Sequence, residues 1–198
     1  MLTWEAFEKV EMRVGTIVEV NDFPEARKPA YQLHIDFGGG VQSDTDIRIA
    51  FESGAKQVTG GSIAVKNPDL FHHWLQTYGA DAIILGADAK NEKIAVGGWE
   101  EATTTNIYDF VQEWTEKGVR YTISTDVAKD GLLQGPSLEL YRNMQAHCPS
   151  LQIIASGGVS SLTDLEQLAE LGVFGVVVGK AIYEGKITLS EISRTFFV

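Results

Sequence analysis

The stretch Ile154–Lys180, IASGGVSSLTDLEQLAELGVFGVVVGK, decides the fold, because the chain carries a second version of it at Asp36–Ser62, DFGGGVQSDTDIRIAFESGAKQVTGGS. Shifted by 118 residues, Gly39-Gly40-Val41 falls on Gly157-Gly158-Val159, and Ser43, Thr45 and Asp46 fall on Ser161, Thr163 and Asp164. Glu52, Gly54, Val58 and Gly61 fall on Glu170, Gly172, Val176 and Gly179, giving ten identities in 23 ungapped positions. Each copy reads as a strand, a glycine-rich turn, a helix opened by serine with aspartate three residues on, and a second strand ending in glycine. Two copies imply a duplicated half-barrel with two similar ligand sites.

Outward from the repeat, the same alternation continues. Val119–Ser124, Leu151–Ala155 and Val173–Val178 read as strands buried on both faces, as do Ala82–Leu85 and Gln57–Thr59. Asn67-Pro68 supplies a cap and a first-turn proline for a helix that Gly79 ends, while Gly54 and Gly118 end two others. Strand–helix–strand repetition means parallel pairing through right-handed crossovers. Periodicity alone leaves an open doubly wound sheet as the alternative. The duplication favours an α/β chain of (β/α)₈ TIM-barrel type, truncated to about six βα units behind an N-terminal β-hairpin.

Composition narrows the function. With 44% apolar and 22% charged residues, the 198-residue chain is an ordinary globular one. No apolar run approaches a membrane span, and no basic, then apolar, leader opens the sequence. One cysteine, Cys148, excludes an internal disulfide, and its place late in a helix before Pro149 points to packing. A cytoplasmic protein is expected. A formal charge of −11 argues against nucleic acid as a partner. It does not exclude a phosphorylated metabolite, which backbone N–H groups can hold locally.

A parallel barrel carries its site at the C-terminal strand ends. Gly38-Gly39-Gly40, Ser156-Gly157-Gly158, Gly60-Gly61-Ser62 and Gly179-Lys180-Ala181 all fall there. Any one such turn fits plain βα geometry, but paired and duplicated they point to a ligand with two phosphates. Between the copies, Asp88 ends the run Asp81–Asp88, and Thr125-Asp126 ends the run from Tyr121, followed by Asp130-Gly131. Asp88 is either a catalytic group or a loop-starting cap, and Asp130-Gly131 taken alone fits a turn. Trp99, after Gly97-Gly98, either stacks on a planar ligand or joins the core. His72-His73 face different sides of a helix and make a poor metal pair.

These residues carry a family resemblance. GGGVQSDTD (38–46), GGSIAVKNP (60–68), ILGADAK (84–90), VGGW (96–99), STDVAKDGLLQGP (124–136), IASGGVSS (154–161) and VVVGKAIYEGK (176–186) occur in order. From about Ile35 to Phe197 the chain resembles the phosphoribosylformimino-aminoimidazole carboxamide ribotide isomerases of histidine biosynthesis, from their third to their eighth barrel strand. The resemblance implies a barrel needing neither metal nor organic cofactor. It also implies an aminoaldose-to-aminoketose rearrangement of a small substrate bearing two phosphoribosyl groups. Asp88 then matches the general acid that protonates the ribose ring oxygen, Thr125 lies close to the reacting sugar, and Trp99 contacts the imidazole. Gly40, Gly61-Ser62, Gly157-Gly158 and Gly179-Lys180 hold the phosphates through their backbones, and Asp130-Gly131 borders the substrate. Gln42 replaces an arginine common in the family.

The front of the chain departs from that pattern. Only 37 residues precede Gly38, where the barrel scale asks for roughly eighty, so the family's first strand, with its proposed catalytic base, has no counterpart. Asp36 is no substitute, because it belongs to the third strand. Phe7–Gly38 is instead similar to the start of an oligonucleotide-binding-fold tRNA-binding domain. The expectation is a chimera, with a fragment over 1–37 sharing its last strand with a partial barrel over 35–198. Isomerase activity is expected to be impaired. The rivals are a non-catalytic phosphate-ligand module and an engineered fold chimera; a tRNA-binding role conflicts with the charge. Arg13–Val20 should pair antiparallel with Tyr31–Phe37 through a turn at Phe23-Pro24-Glu25, leaving open edges through which copies associate into a homo-oligomer.

Overall fold

The computed structural model describes residues 15–22, 31–38, 41–99 and 101–196. Gly39 and Gly40 of the first glycine turn lie outside them, as do Arg13 and the Phe23-Pro24-Glu25 turn. Among the described residues the architecture is α/β of (β/α)₈-barrel type, and contacts divide the chain into two compact units, Met1–Thr59 and Gly60–Val198.

In the first unit, β1 (Gly15–Asp22) pairs antiparallel with β2 (Tyr31–Gly38), from Gly15 opposite Phe37 to Asp22 opposite Tyr31, with a bulge between Ile17 and Glu19. This is the pairing expected of the hairpin, carried two residues past Val20 to Asp22; Arg13 and Val14 lie outside the described residues. β2 then pairs in parallel with β3 (Val58–Gly60). Helix α1 (Asp44–Glu52) connects them; Ser43 Oγ accepts the Asp46 N–H at 3.2 Å, and Asp46 accepts the Gln42 N–H at 3.1 Å.

The second unit is built on the parallel order β4 (Ile83–Gly86), β8 (Tyr121–Thr125), β9 (Gln152–Ser156) and β10 (Gly175–Val177). Its helices are α2 (Ser62–Lys66), α3 (Pro68–Tyr78), α4 (Ile107–Glu116), α5 (Leu138–His147), α6 (Leu162–Leu171), α7 (Lys180–Tyr183) and α8 (Leu189–Phe196). Six βα units therefore follow one another along the described chain. The caps are those the residues imply. Asn67 accepts the Leu70 N–H at 3.3 Å and Pro68 opens α3, while Ser161 and Asp164 form a reciprocal capping box on α6, which Gly172 ends at φ +81°. Phe71, Trp74, Trp114 and Tyr141 fill the core, with Phe71 edge-on to Trp114 at 4.7 Å.

The repeat is matched in backbone detail. Ser160 N–H donates to Asp164 as Gln42 N–H does to Asp46. Gly61 and Gly179 precede their helices in nearly one conformation, at φ, ψ of −97°, −88° and −112°, −92°.

Two expectations are corrected. Val173–Val178 is not buried on both faces: β10 is half-buried and Phe174 is 56% exposed, because among the described strands of this unit β10 pairs only with β9. The stretch after Asp88 is not simply a loop. It forms a three-stranded antiparallel sheet of β5 (Ala89–Lys90), β6 (Lys93–Val96) and β7 (Glu101–Asn106). No described helix is long and apolar enough to cross a membrane.

Candidate active site

Asp88 sits where one strand changes sheets. Ala87 N–H still donates to Ile123 of β8 at 2.9 Å, whereas the Asp88 carbonyl accepts from Ala95 of β6 at 2.8 Å. The carboxylate is thereby presented at the strand end. Its Oδ1 accepts the Thr125 backbone N–H at 3.1 Å, and its Oδ2 accepts the Trp99 indole N–H at 2.8 Å. The three residues thus meet. Two buried hydroxyls lock β8 to the β4 segment beneath them: Thr122 donates to the Leu85 carbonyl at 2.9 Å and Ser124 to that of Ala87 at 2.7 Å. Thr125 is only 6% exposed, yet its hydroxyl has no protein hydrogen-bond partner among the described residues. A buried hydroxyl ordinarily has one.

Trp99 is at the surface of the site, 38% exposed, not in the core. Gly97, Gly98 and Trp99 all adopt left-handed φ, +63°, +68° and +73°, a conformation costly for tryptophan. Ser62 Oγ accepts the Gly97 N–H at 3.1 Å and ties this turn to the start of α2. The Ser62 hydroxyl is thus engaged with the tryptophan turn, a link that no local motif marks. Gly61 lies beside Gly86, with 3.8 Å between its Cβ position and the Gly86 backbone.

A cavity of about 240 Å³ opens next to this cluster, walled by Asp130, Gly131, Ser156, Gly157, Gly158 and Lys180, with Gly179 also on its lining. Gly157 and Gly158 adopt φ of +87° and +81°. A Cβ on Gly157 would stand 3.1 Å from Thr125 Cγ2 and 3.3 Å from Asp130 Oδ1, and one on Gly158 would collide with the Gly135 carbonyl. Here glycine is required for space as well as for conformation. The 126–136 loop is docked on the turn by Gly135 N–H donating to the Gly158 carbonyl at 3.0 Å, and Lys180 Nζ donates to Gly131 O at 2.7 Å. Thr125, whose backbone holds the Asp88 carboxylate, thus adjoins the cavity wall at Gly157. Gly40 lies outside the described residues.

Tyr141 was not legible as part of the site, since it is an aromatic on the buried face of α5 with no motif around it. Its phenol reaches the strand ends, lying 2.9 Å from Ser156 O and 3.2 Å from Ser124 O and accepting the Ser156 N–H at 3.2 Å. Burial, aided by the Asp126 and Asp88 charges, pushes this phenol well above the ordinary tyrosine range against the Ser156 hydrogen bond. Among the described residues no three His, Cys, Asp or Glu side chains cluster as a metal site.

The sequence model of the family described as "Histidine biosynthesis protein" matches residues 23–188. The chain is 57% identical over 162 residues to the 1-(5-phosphoribosyl)-5-((5-phosphoribosylamino)methylideneamino)imidazole-4-carboxamide isomerase of Flavobacterium johnsoniae, covering 82% of this chain and 68% of the relative. It is 54% identical to the isomerase of that name from Parabacteroides distasonis, with the same coverage. With the Cytophaga hutchinsonii isomerase it shares 52% over 165 residues, or 83% of this chain and 69% of the relative. The match thus includes the duplicated glycine turns, the Asp88 cluster and the cavity around Gly157, and the chain belongs to the histidine biosynthesis protein family.

Proposed function

We propose that the chain is a cytosolic aldose-to-ketose isomerase acting on an imidazole carboxamide with two phosphoribosyl groups. The carrying observation is the meeting of Asp88, Trp99 and Thr125 beside a cavity walled by left-handed glycines and Lys180. Asp88 gives a proton to the ring oxygen of the aminosugar, so the ring C–O bond breaks and the nitrogen lone pair forms a protonated Schiff base. Loss of the C2 proton to a base gives an enolamine, which tautomerises to the aminoketose. Atoms and electrons balance without an oxidant or reductant. The unpartnered Thr125 hydroxyl supports a sugar contact, and the half-exposed Trp99 ring supports one to the imidazole plane. Gly157-Gly158 and Gly179-Lys180 hold one phosphate, while Gly61-Ser62 is assigned to the other; Gly40 lies outside the described residues.

The base is not assigned. General acid–base groups contribute about 10²–10⁴-fold each, and turnover is proposed to fall below that of the relatives by a factor in this range. The composite origin of the first residues belongs to the same proposal. The family match from residue 23 begins inside the segment that resembles the oligonucleotide-binding fold.

Incubating the purified chain with the bisphosphorylated aminoaldose tests this reading. Slow formation of the aminoketose is expected. Tight binding without turnover would replace it with a non-catalytic phosphate-ligand module, and neither binding nor turnover would leave a fold without a ligand.

A further inference from the structure

We propose that Tyr141 is a positioning residue whose phenol sets the spacing of the β8 and β9 ends and so places Thr125 against the Gly157 turn. The inference deepens the phosphate-site reading and rests on it only for the consequence in binding. The Tyr141 ring is fully buried in the α5 face that covers the sheet. A hydroxyl without water must find protein partners. Those of Tyr141 lie on two different strands, at Ser124 of β8 and at Ser156 of β9.

The rung concerned is the last of this pair, where Thr125 stands opposite Ser156. Directly beyond it, β8 delivers Thr125 and β9 delivers Gly157. They lie near enough that a single carbon added to Gly157 would stand 3.1 Å from Thr125 Cγ2. A shift of a fraction of an ångström between the strand ends would therefore change both the Thr125 position and the orientation of the Gly157-Gly158 N–H groups. Thr122 and Ser124 lock β8 to its other neighbour through Leu85 and Ala87. Towards β9 the corresponding side-chain link is the Tyr141 phenol.

The test compares Tyr141→Phe with Ile153→Val in the full chain. Ile153 is a buried β9 residue outside the site, whose truncation matches the general loss of packing. Amide hydrogen exchange and titration with inorganic phosphate are read for each variant. Tyr141→Phe should speed exchange at Thr125, Ser156 and Gly157 about tenfold and weaken phosphate binding about fivefold or more, as expected when a buried N–H loses its partner. Ile153→Val should do neither. Unchanged exchange at those three amides in Tyr141→Phe, or equal acceleration by Ile153→Val, overturns the proposal. Faster exchange with wild-type phosphate affinity overturns its functional half. If the wild type binds no phosphate, the phosphate-site reading fails, and the exchange comparison still decides the role of Tyr141. In the wild type itself, the Tyr141 hydroxyl proton should appear as a slowly exchanging resonance. A freely exchanging one overturns the proposal even if the variant does not fold.

Discussion

Trp99 donates its indole N–H to Oδ2 of Asp88 across 2.8 Å, while Oδ1 takes the Thr125 backbone N–H at 3.1 Å. The donors come from different supports, a left-handed turn and a sheet strand, so together they fix the plane of the carboxylate. Asp88→Asn keeps the shape of the group but removes the transferable proton. Steady-state kinetics should show turnover falling by about 10²–10⁴-fold, with KM changing much less. Trp99→Phe, which keeps a ring and loses only the donor, should cost roughly tenfold. An Asp88→Asn chain within tenfold of wild type would remove Asp88 from the acid role.

Gly158 and Gly172 share φ of +81° but differ in surroundings: a Cβ on Gly158 meets the Gly135 carbonyl, and one on Gly172 meets open space. Alanine at Gly172 should cost only the left-handed strain, about 1–2 kcal/mol. Alanine at Gly158 must in addition push the 126–136 loop off the turn, with about 1–3 kcal/mol of overpacking. Denaturant unfolding should therefore rank Gly158→Ala clearly below Gly172→Ala. In calorimetry with ribose 5-phosphate, only Gly158→Ala should lose binding. Equal effects in both readouts would refute the docked turn.

What could be read from the chain, and what could not, divides by the range of the interactions. The capping pairs Ser43/Asp46 and Ser161/Asp164 are three residues apart, so both helix starts were legible, and with them the duplication. Asp88, Thr125 and the Gly157 turn were legible as strand-end residues, and Trp99 only as an aromatic that either stacks on a ligand or joins the core. The β5–β6 hairpin was not. Its two-residue turn holds Asn91 and Glu92 at φ of +52° and +60°, and the glycine that normally betrays such a turn is replaced by glutamate. Nor was the Ser62–Gly97 bond, which spans 35 residues, or the Tyr141 phenol, whose partners are set by how α5 lies on the sheet. Such contacts depend on packing that no local spacing encodes.

Cys148 closes α5, its N–H donating to the Met144 carbonyl at 2.8 Å, and its side chain is 3% exposed. Burial pushes the thiol up, against a hydrogen bond with Thr115. Since the thiolate is the reactive species, the native chain should react with iodoacetamide at pH 8 far more slowly than the denatured chain. Mass spectrometry after timed alkylation would measure both rates. Equal rates would show that the α5 end is open in solution.

The Tyr141 phenol also predicts how stability depends on pH. Its protonation equilibrium is raised in the folded chain, first by burial and then by the charges of Asp126 and Asp88. In the unfolded chain it titrates near the ordinary value of about 10. Below that pH both states keep the proton, and the contribution to stability is fully present. Above it the unfolded state loses the proton while the native state holds it, so stability falls as pH rises, by up to about 1.4 kcal/mol per pH unit. Every other ionisable group is common to wild type and Tyr141→Phe. The difference between the two chains isolates Tyr141. At pH 8 wild type should be the more stable, because the variant has lost the phenol's hydrogen bonds. By pH 11 that advantage should shrink in urea unfolding. An advantage that stays constant from pH 8 to pH 11 would mean that Tyr141 ionises alike in both states, which a phenol sealed between Ser124 and Ser156 cannot do.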